Sequence, residues 1–395
     1  MLMATCALAQ DWPQFLGPGR NGVYAGGDLA AKWPAGGPAV VWKKDVGQGF
    51  SGPVVSQGRL ILFHRVGNKE VIDAMDAATG RSIWSFDYPT QYRDDFGFDE
   101  GPRAAPTVAG GRVFTFGAEG VLTSVDFATG KKIWSVDTHR QFQVRKGYFG
   151  AAGAPLVDGD RVLMNIGGTS GGLVAFDAAT GKTLWTATAQ EASYSSPVLA
   201  TIRGARHALF LTRAGFVDVD PATGKLRYEL PWRARMQASV NAATPLVIDD
   251  LVFLSASYGT GAILLQIAAD GLKKIWASDD ALTNHYATSV HKDGILYGFH
   301  GRQEEGPSLR AIDLKTGKVR WDVEGFRAGT VTLAGDRLLI VKEGGELVMA
   351  AASPAGFQAI ATAKVLPPVV RSYPAIANGR MYLRNEKTLI CLSLK

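Results

Sequence analysis

The chain of 395 residues contains only two cysteines, Cys6 and Cys391. That excludes a disulfide framework and a four-thiolate zinc site, and without a C-x-x-C-H run no c-type haem is attached. No apolar run reaches the ~18 residues that a membrane-spanning helix needs. Charge of one sign is scarce too: 42 Lys and Arg against 36 Asp and Glu leave a net +6. These cations are scattered through turns beside Asp rather than gathered into a basic stripe with interleaved aromatics, so no nucleic-acid partner is expected. Six histidines are dispersed with no i, i+4 pair. G-x-S-x-G, H-E-x-x-H and P-loop patterns are missing. Gly47–Gly52 fits G-x-G-x-x-G, but it lies between strand signals with no helix to face a pyrophosphate, and reads as a turn.

Residues 1–10, MLMATCALAQ, are small and apolar and end in Ala7-Leu8-Ala9. This is the A-x-A pattern of a signal-peptide cleavage site, so the segment reads as a leader remnant cut after Ala9. The expected location is therefore periplasmic or secreted. Thr5 ahead of Cys6 is a poor lipoprotein signal, which argues against a lipid anchor.

The strongest signal is a repeat. The phrase Asp-x-x-Thr-Gly-(Lys/Arg)-x-x-Trp runs through Asp76–Trp84, Asp126–Trp134, Asp177–Trp185 and Asp313–Trp321, with Tyr in place of Trp in Asp220–Tyr228 and a worn copy ending at Trp276. Successive aromatics are 50, 51, 43, 48 and 45 residues apart. A second phrase, small residues followed by Pro and aliphatics, centres on Pro53, Pro106, Pro155, Pro197, Pro245, Ser289, Thr332 and Pro374, which makes eight units. Each unit holds four short strand patterns separated by turn signals, with no helical period between them. Four-stranded units repeated radially make a β-propeller. The expected fold is all-β: eight antiparallel four-stranded blades. The last unit has only three strand patterns, and Val40–Val46 matches the missing outer strand, so an N-terminal strand closes the ring and removes its open edge. The domains are expected as 1–10 leader, 11–38 an arm packed on the propeller's side, and 39–395 propeller. The repeat Trp residues are expected to wedge between blades rather than stack on a cofactor.

Ala175-Phe176-Asp177 through Trp185 and Ala311-Ile312-Asp313 through Trp321 resemble the pyrroloquinoline-quinone (PQQ) repeat. The resemblance covers residues 39–395, and Asp11–Pro18 (DWPQFLGP) is similar to the leader of exported PQQ-like repeat proteins. The family includes quinoprotein alcohol dehydrogenases and BamB-type assembly lipoproteins. For the enzymes it implies PQQ held against adjacent cysteines and Ca²⁺ on a Glu/Asn/Asp set, with a catalytic Asp. This chain has no adjacent cysteines, and no position matches the calcium ligands or the catalytic Asp.

Ligands of propellers bind at one mouth of the channel. The position three residues before each repeat Pro lines one ring: Phe50, Arg103, Ala152, Tyr194, Ala242, Tyr286, Gly329 and Arg371. Two arginines among aromatics suit a flat anionic ligand. Loops joining the second and third strands add His64, Arg65, Glu119, Arg213, His300, Arg302, Lys342 and Glu343 on the same face. Two long entry loops, 85–105 and 135–154, crown it and bring Tyr148; long ordered loops on a rigid scaffold tend to carry binding. In the first of them Asp94, Asp95, Asp99 and Glu100 are weak candidates for Ca²⁺; they lack EF-hand spacing, so no metal is expected there and the acidic loop is expected to be solvated and to pair with the basic one.

The expected function is an exported, monomeric propeller that binds a protein partner or a small anionic or glycan ligand at this face. The alternatives are a PQQ-dependent oxidoreductase acting on an alcohol or sugar, and a glycan- or polymer-binding propeller.

Overall fold

The computed structural model describes residues 11–234, 236 and 239–395, so the leader and Cys6 lie outside the described residues. Eight sheets follow one another along the chain. The first blade is Val54–Ser56, Arg59–Val66, Lys69–Asp76 and Ser82–Pro89, paired antiparallel in that order from the channel outward. The second to seventh blades repeat this pattern, with inner strands at Thr107–Ala109, Leu156–Asp158, Val198–Ile202, Leu246–Ile248, Val290–Lys292 and Gly329–Ala334. The eighth consists of Ala375–Ala377, Arg380–Arg384, Thr388–Ser393 and, on its outside, Val40–Asp45. The closing strand expected from residues 40–46 is therefore in place, and the two ends of the chain share one sheet. The long loop after the second blade contains a single helical turn, Thr138–Phe142, capped where the Asp137 side chain accepts from the Arg140 amide at 3.0 Å.

The repeated phrase has a physical reading. In the five copies that keep Thr the Asp carboxylate accepts from the Thr amide and hydroxyl, as Asp126 does from Thr129 at 2.8 and 2.7 Å. This local turn needs its next residue in the left-handed region, which Gly130 supplies at φ 71°. A β-bulge falls at the same outer-strand position in every blade, at the repeat aromatic in all but the seventh, for example where Trp84 pairs with Ala74 and Ser82 with Met75. The Trp then docks on the turn of the following blade. Trp84 donates to Phe127 O at 3.0 Å, Trp134 to Ala178 O at 3.0 Å, Trp276 to Leu314 O at 2.8 Å, and Trp42 of the closing strand to Ala77 O at 3.1 Å. A Cβ on Gly130 would lie 2.5 Å from the Trp84 ring, so the glycine also makes room for the neighbour's indole. Burying an aromatic removes roughly 150–250 Å² from water, worth on the order of 4–6 kcal/mol gross per joint.

The seventh blade carries Ala361 at this bulge instead of Trp. The eighth blade has no Asp-x-x-Thr-Gly turn on which an indole could rest, because the chain ends meet there. The N-terminal arm packs at this joint. Ala30 N donates to Leu394 O at 2.7 Å, Gly37 lies directly on Ala363, and Trp33, 3 % exposed, joins the cluster of Leu339, Met349, Leu392 and Leu394.

The first half of the arm does not lie on the propeller's side. It enters the channel from the face opposite the Phe50 loop. Asp11 accepts from Ser56 and Gln57 at the hairpin there, Trp12 and Val55 exchange backbone bonds of 2.8 and 2.9 Å, and Val108 N donates to Pro13 O at 2.8 Å. The chain turns at 16–22 and returns as Val23–Tyr24, parallel to the inner strand of the seventh blade. Arg20, 2 % exposed, sits inside this turn and donates to Pro155 O, to Pro197 O at 3.0 Å, to Thr107 Oγ1 at 3.3 Å and to Gln14 Oε1 at 2.9 Å. Burial pulls its guanidinium pKa down to about 9, so it remains charged and ties three blades to the arm through their carbonyls and a hydroxyl. The flank position expected for all of 11–38 is thus replaced, for 11–24, by a plug. No periodicity marks such a segment, because each of its contacts occurs once.

Candidate functional site: a cup at the open mouth of the channel

With one end filled by the arm, the other end forms a cup of about 250 Å³. Phe50, Arg103, Ala152, Tyr194, Ala242, Tyr286 and Arg371 line it together. The loops entering the inner strands bring them there, because the same backbone step in seven blades points a side chain at the axis. Gly329, the eighth ring position, borders a smaller neighbouring hollow. Residues that the ring pattern does not name complete the wall: Phe15 from the arm, Phe98 and Phe149 from the long loops, and Tyr258, His285 and Tyr373. Tyr258 lies in the second-to-third-strand loop of the fifth blade, so the loop rule applied there would have found it. Phe15 could not be found that way. It meets Tyr373 edge-on at 5.1 Å, on the arm side of the cup.

The arginines are not free anion receptors. Arg103 pairs with the buried Asp94 at 2.5 Å and also donates to Gly101 O and Asp99 O. Arg371 donates from Nε to Glu343 Oε1 at 2.9 Å, and Tyr286 donates to the same oxygen at 3.0 Å. Both guanidinium groups flank the Phe50 ring, at 5.7 and 5.3 Å from its centre. They clamp an aromatic wall and are each neutralised by a carboxylate from a loop.

The other expected site residues lie behind or above the wall. His64 is buried within the first blade, accepting from Gly47 N at 2.8 Å and bonded to Asp73 at 3.0 Å. His300 accepts from Thr283 N at 3.2 Å, and burial lowers its pKa. Arg302 stacks on the outer side of Tyr258 at 4.7 Å and pairs with Glu304 and Glu305 at 3.5 Å. Tyr148 is 40 % exposed on the rim, against Phe96.

The four carboxylates considered for Ca²⁺ are drawn apart. Asp94 faces Arg103, and Asp95 faces Lys146. Asp99 accepts from Gly49 N at 3.1 Å and Gly101 N at 2.6 Å, while Glu100 faces Arg65 and Arg93. Among the described residues no three metal-ligating side chains converge. These acids fasten the loop instead, and Lys146 ties it to the second long loop.

Tyr258 and His285 form the polar corner. His285 Nδ1 accepts from the Gln303 amide at 3.3 Å, which assigns the ring proton to Nε2, 2.8 Å from Tyr258 Oη. Burial lowers the His285 pKa, keeping the imidazole neutral. The Tyr258 oxygen therefore accepts from His285 and its own proton is available to the cup.

The fold and the mouth together define an eight-bladed propeller of the quinoprotein-like kind, with a closed cup on one face. A family model described as outer membrane protein assembly factor BamB matches residues 67–323, and the chain belongs to this PQQ-like propeller family. Its structure is similar to a quinohemoprotein alcohol dehydrogenase from Comamonas testosteroni, with TM-score 0.70 and 16 % identity over 98 % of this chain and 80 % of that one. It is also similar to BamB from Moraxella catarrhalis, with TM-score 0.66 and 16 % identity over 89 % and 96 %. A europium-containing methanol dehydrogenase superposes with TM-score 0.67 and 12 % identity over 95 % and 89 %. At these identities the likeness is one of fold. No curated protein matches in sequence.

The fold family raises PQQ and its cation as occupants, and the residues present do not fit them. Among the described residues that line the cup, both arginines already face carboxylates, so neither is an unpaired cation for a quinone bearing several carboxylates. The acids of the rim do not converge. Cys391 is buried in the core of the eighth blade, away from the cup.

Proposed function

We propose that this propeller is a binding protein whose cup holds a small ligand, in an exported, periplasmic or secreted chain. The observation that carries the reading is the cup: one wall assembled from seven blades, its far end closed by the protein's own arm. Ligand sites are concave, largely apolar and supplied with a few placed polar groups, and Tyr258 is such a group here. The A-x-A leader pattern supports export, and among the described residues no helix is long and apolar enough to cross a membrane. A thermal-shift screen of small molecules on the wild type and on Ala152→Trp, which fills the cup, tests the reading. Compounds that stabilise the wild type should lose their effect in the variant. Equal shifts in both would overturn it.

A second reading, a protein partner seated on the rim, is favoured by Phe96 and Phe98, 52 % and 49 % exposed beside Tyr148. Partner capture that survives Ala152→Trp but is lost in Phe96→Ser with Tyr148→Ser would choose it.

A further inference from the structure

The wall of the cup restricts what it can hold. Charge is one restriction. Arg103 faces Asp94, Arg371 faces Glu343 and Arg302 faces Glu304. An anion entering here would lose its hydration and meet cations that are already paired, and desolvating a charge without a partner is expensive. Shape is a second restriction. Phe50, Phe98, Phe149 and Tyr194 present aromatic surface, and Phe149 meets Tyr194 edge-on at 5.5 Å. The volume of about 250 Å³ exceeds the roughly 150 Å³ of an engineered apolar cavity that takes benzene. One or two fused rings match it. A sugar ring matches less well, since Ser196, Gln303 and Glu304 are few polar side chains beside so much aromatic surface and each hydroxyl buried without a partner weakens binding.

The polar corner supplies a direction. Because His285 donates to Tyr258, the tyrosine points a hydrogen-bond donor into the cup and not an acceptor. The Arg302 guanidinium lies 4.7 Å from the ring centre, and burial raises the Tyr258 pKa, so the hydroxyl keeps its proton.

We infer that the cup takes a flat aromatic ligand of one or two fused rings that carries no negative charge, with a hydrogen-bond acceptor on the edge that meets Tyr258. This rests on the cup being a ligand site, and narrows it to a chemical class. The ring can be free, or it can be the side chain of a peptide; the chemistry is shared.

Four probes separate the possibilities by titration of the full chain. Coumarin is an uncharged bicycle with an edge carbonyl, naphthalene has the same shape without the acceptor, 1-naphthoate adds a charge, and N-acetyltryptophanamide carries the ring on a peptide unit. Coumarin should bind saturably with one site, about tenfold tighter than naphthalene, and 1-naphthoate should bind weakest. Tyr258→Phe should abolish the advantage of coumarin while naphthalene binds as before, which also shows that the variant's cup is intact. Tighter binding of N-acetyltryptophanamide than of coumarin would support the ring chemistry and place its source on a peptide.

Tighter binding of 1-naphthoate or PQQ than of coumarin would overturn the charge inference and leave the cup a ligand site. Equal binding of coumarin and naphthalene would overturn the role of Tyr258. If no ring binds, yet a glycan or peptide binds and is lost in Ala152→Trp, this inference falls and the reading beneath it survives. If nothing that binds is sensitive to Ala152→Trp, both fall.

Discussion

The joint between the second and third blades and the joint between the seventh and eighth join sheet to sheet with unrelated material. At the first, Trp134 reaches across to the Asp177–Gly181 turn and bonds Ala178 O at 3.0 Å. At the second, Ala361 stands where the Trp would be, and Trp33 arrives from a segment more than three hundred residues earlier in the chain. The difference follows from closure. An indole needs the next blade's turn as a seat, and the eighth blade has a gap between chain ends in its place. The arm covers that gap on the outside, and its first half fills the channel on the inside. Closure of this ring leaves one non-repeating joint, and the segment that covers it also closes one end of the cup.

The largest expected effects are at the two tryptophans themselves. Trp33→Ala and Trp134→Ala should each lower stability by about 3–5 kcal/mol, the usual range for emptying a buried aromatic site. Denaturant unfolding checks this, and a Trp33→Ala variant as stable as the wild type would end the equivalence of the two joints. Arg20→Met comes next. It leaves the Pro197 carbonyl without its donor and the Pro155 carbonyl with Thr107 Oγ1 alone, so stability should fall by about 2 kcal/mol, and limited proteolysis should cut residues 11–24 first. Ala361→Trp is a sharper test, because it restores the repeat consensus. With no turn to receive the indole and the arm already in place, it should destabilise by about 2 kcal/mol through overpacking; a gain in stability would show that the joint had room for the repeat's own solution.

The smallest effect is on pH. Burial lowers the pKa of His139, His285, His291 and His300 in the folded protein. Groups depressed in this way contribute stability that is present above the unfolded value of about 6.5 and is lost as pH falls through the folded values. The melting temperature should therefore decline from pH 7 toward pH 5, less steeply than the four histidines alone would give, because burial pushes Asp218 up to about 6 and raises Glu70, and these carboxyls take up protons in the fold as pH falls. Substituting His139 by Gln should shallow that decline, and an unchanged slope would remove His139 from the account.

The blade count, the turns and the closing strand were legible in the residues because the interactions that make them are local or recur between nearest neighbours. Asp126 and Thr129 are three residues apart, and Trp84 needs only the next copy of its own motif. The ring through Phe50, Tyr194 and Arg371 could be read from spacing for the same reason. The state of its arginines could not. Whether Arg371 meets a ligand or a carboxylate depends on Glu343, which reaches it from another blade, and no residue pattern records that pairing.

By itself, then, the sequence determined an eight-bladed ring closed by strand 40–45, since each element depends on its own short stretch and its neighbour. Only the tertiary structure decided that residues 11–24 run inside the channel, that Phe15 lines the cup, that the four rim acids hold loops instead of converging, and that both arginines are neutralised. These rest on contacts that occur once, some of them within a single loop and others between distant segments, and a contact made once leaves no period in the chain.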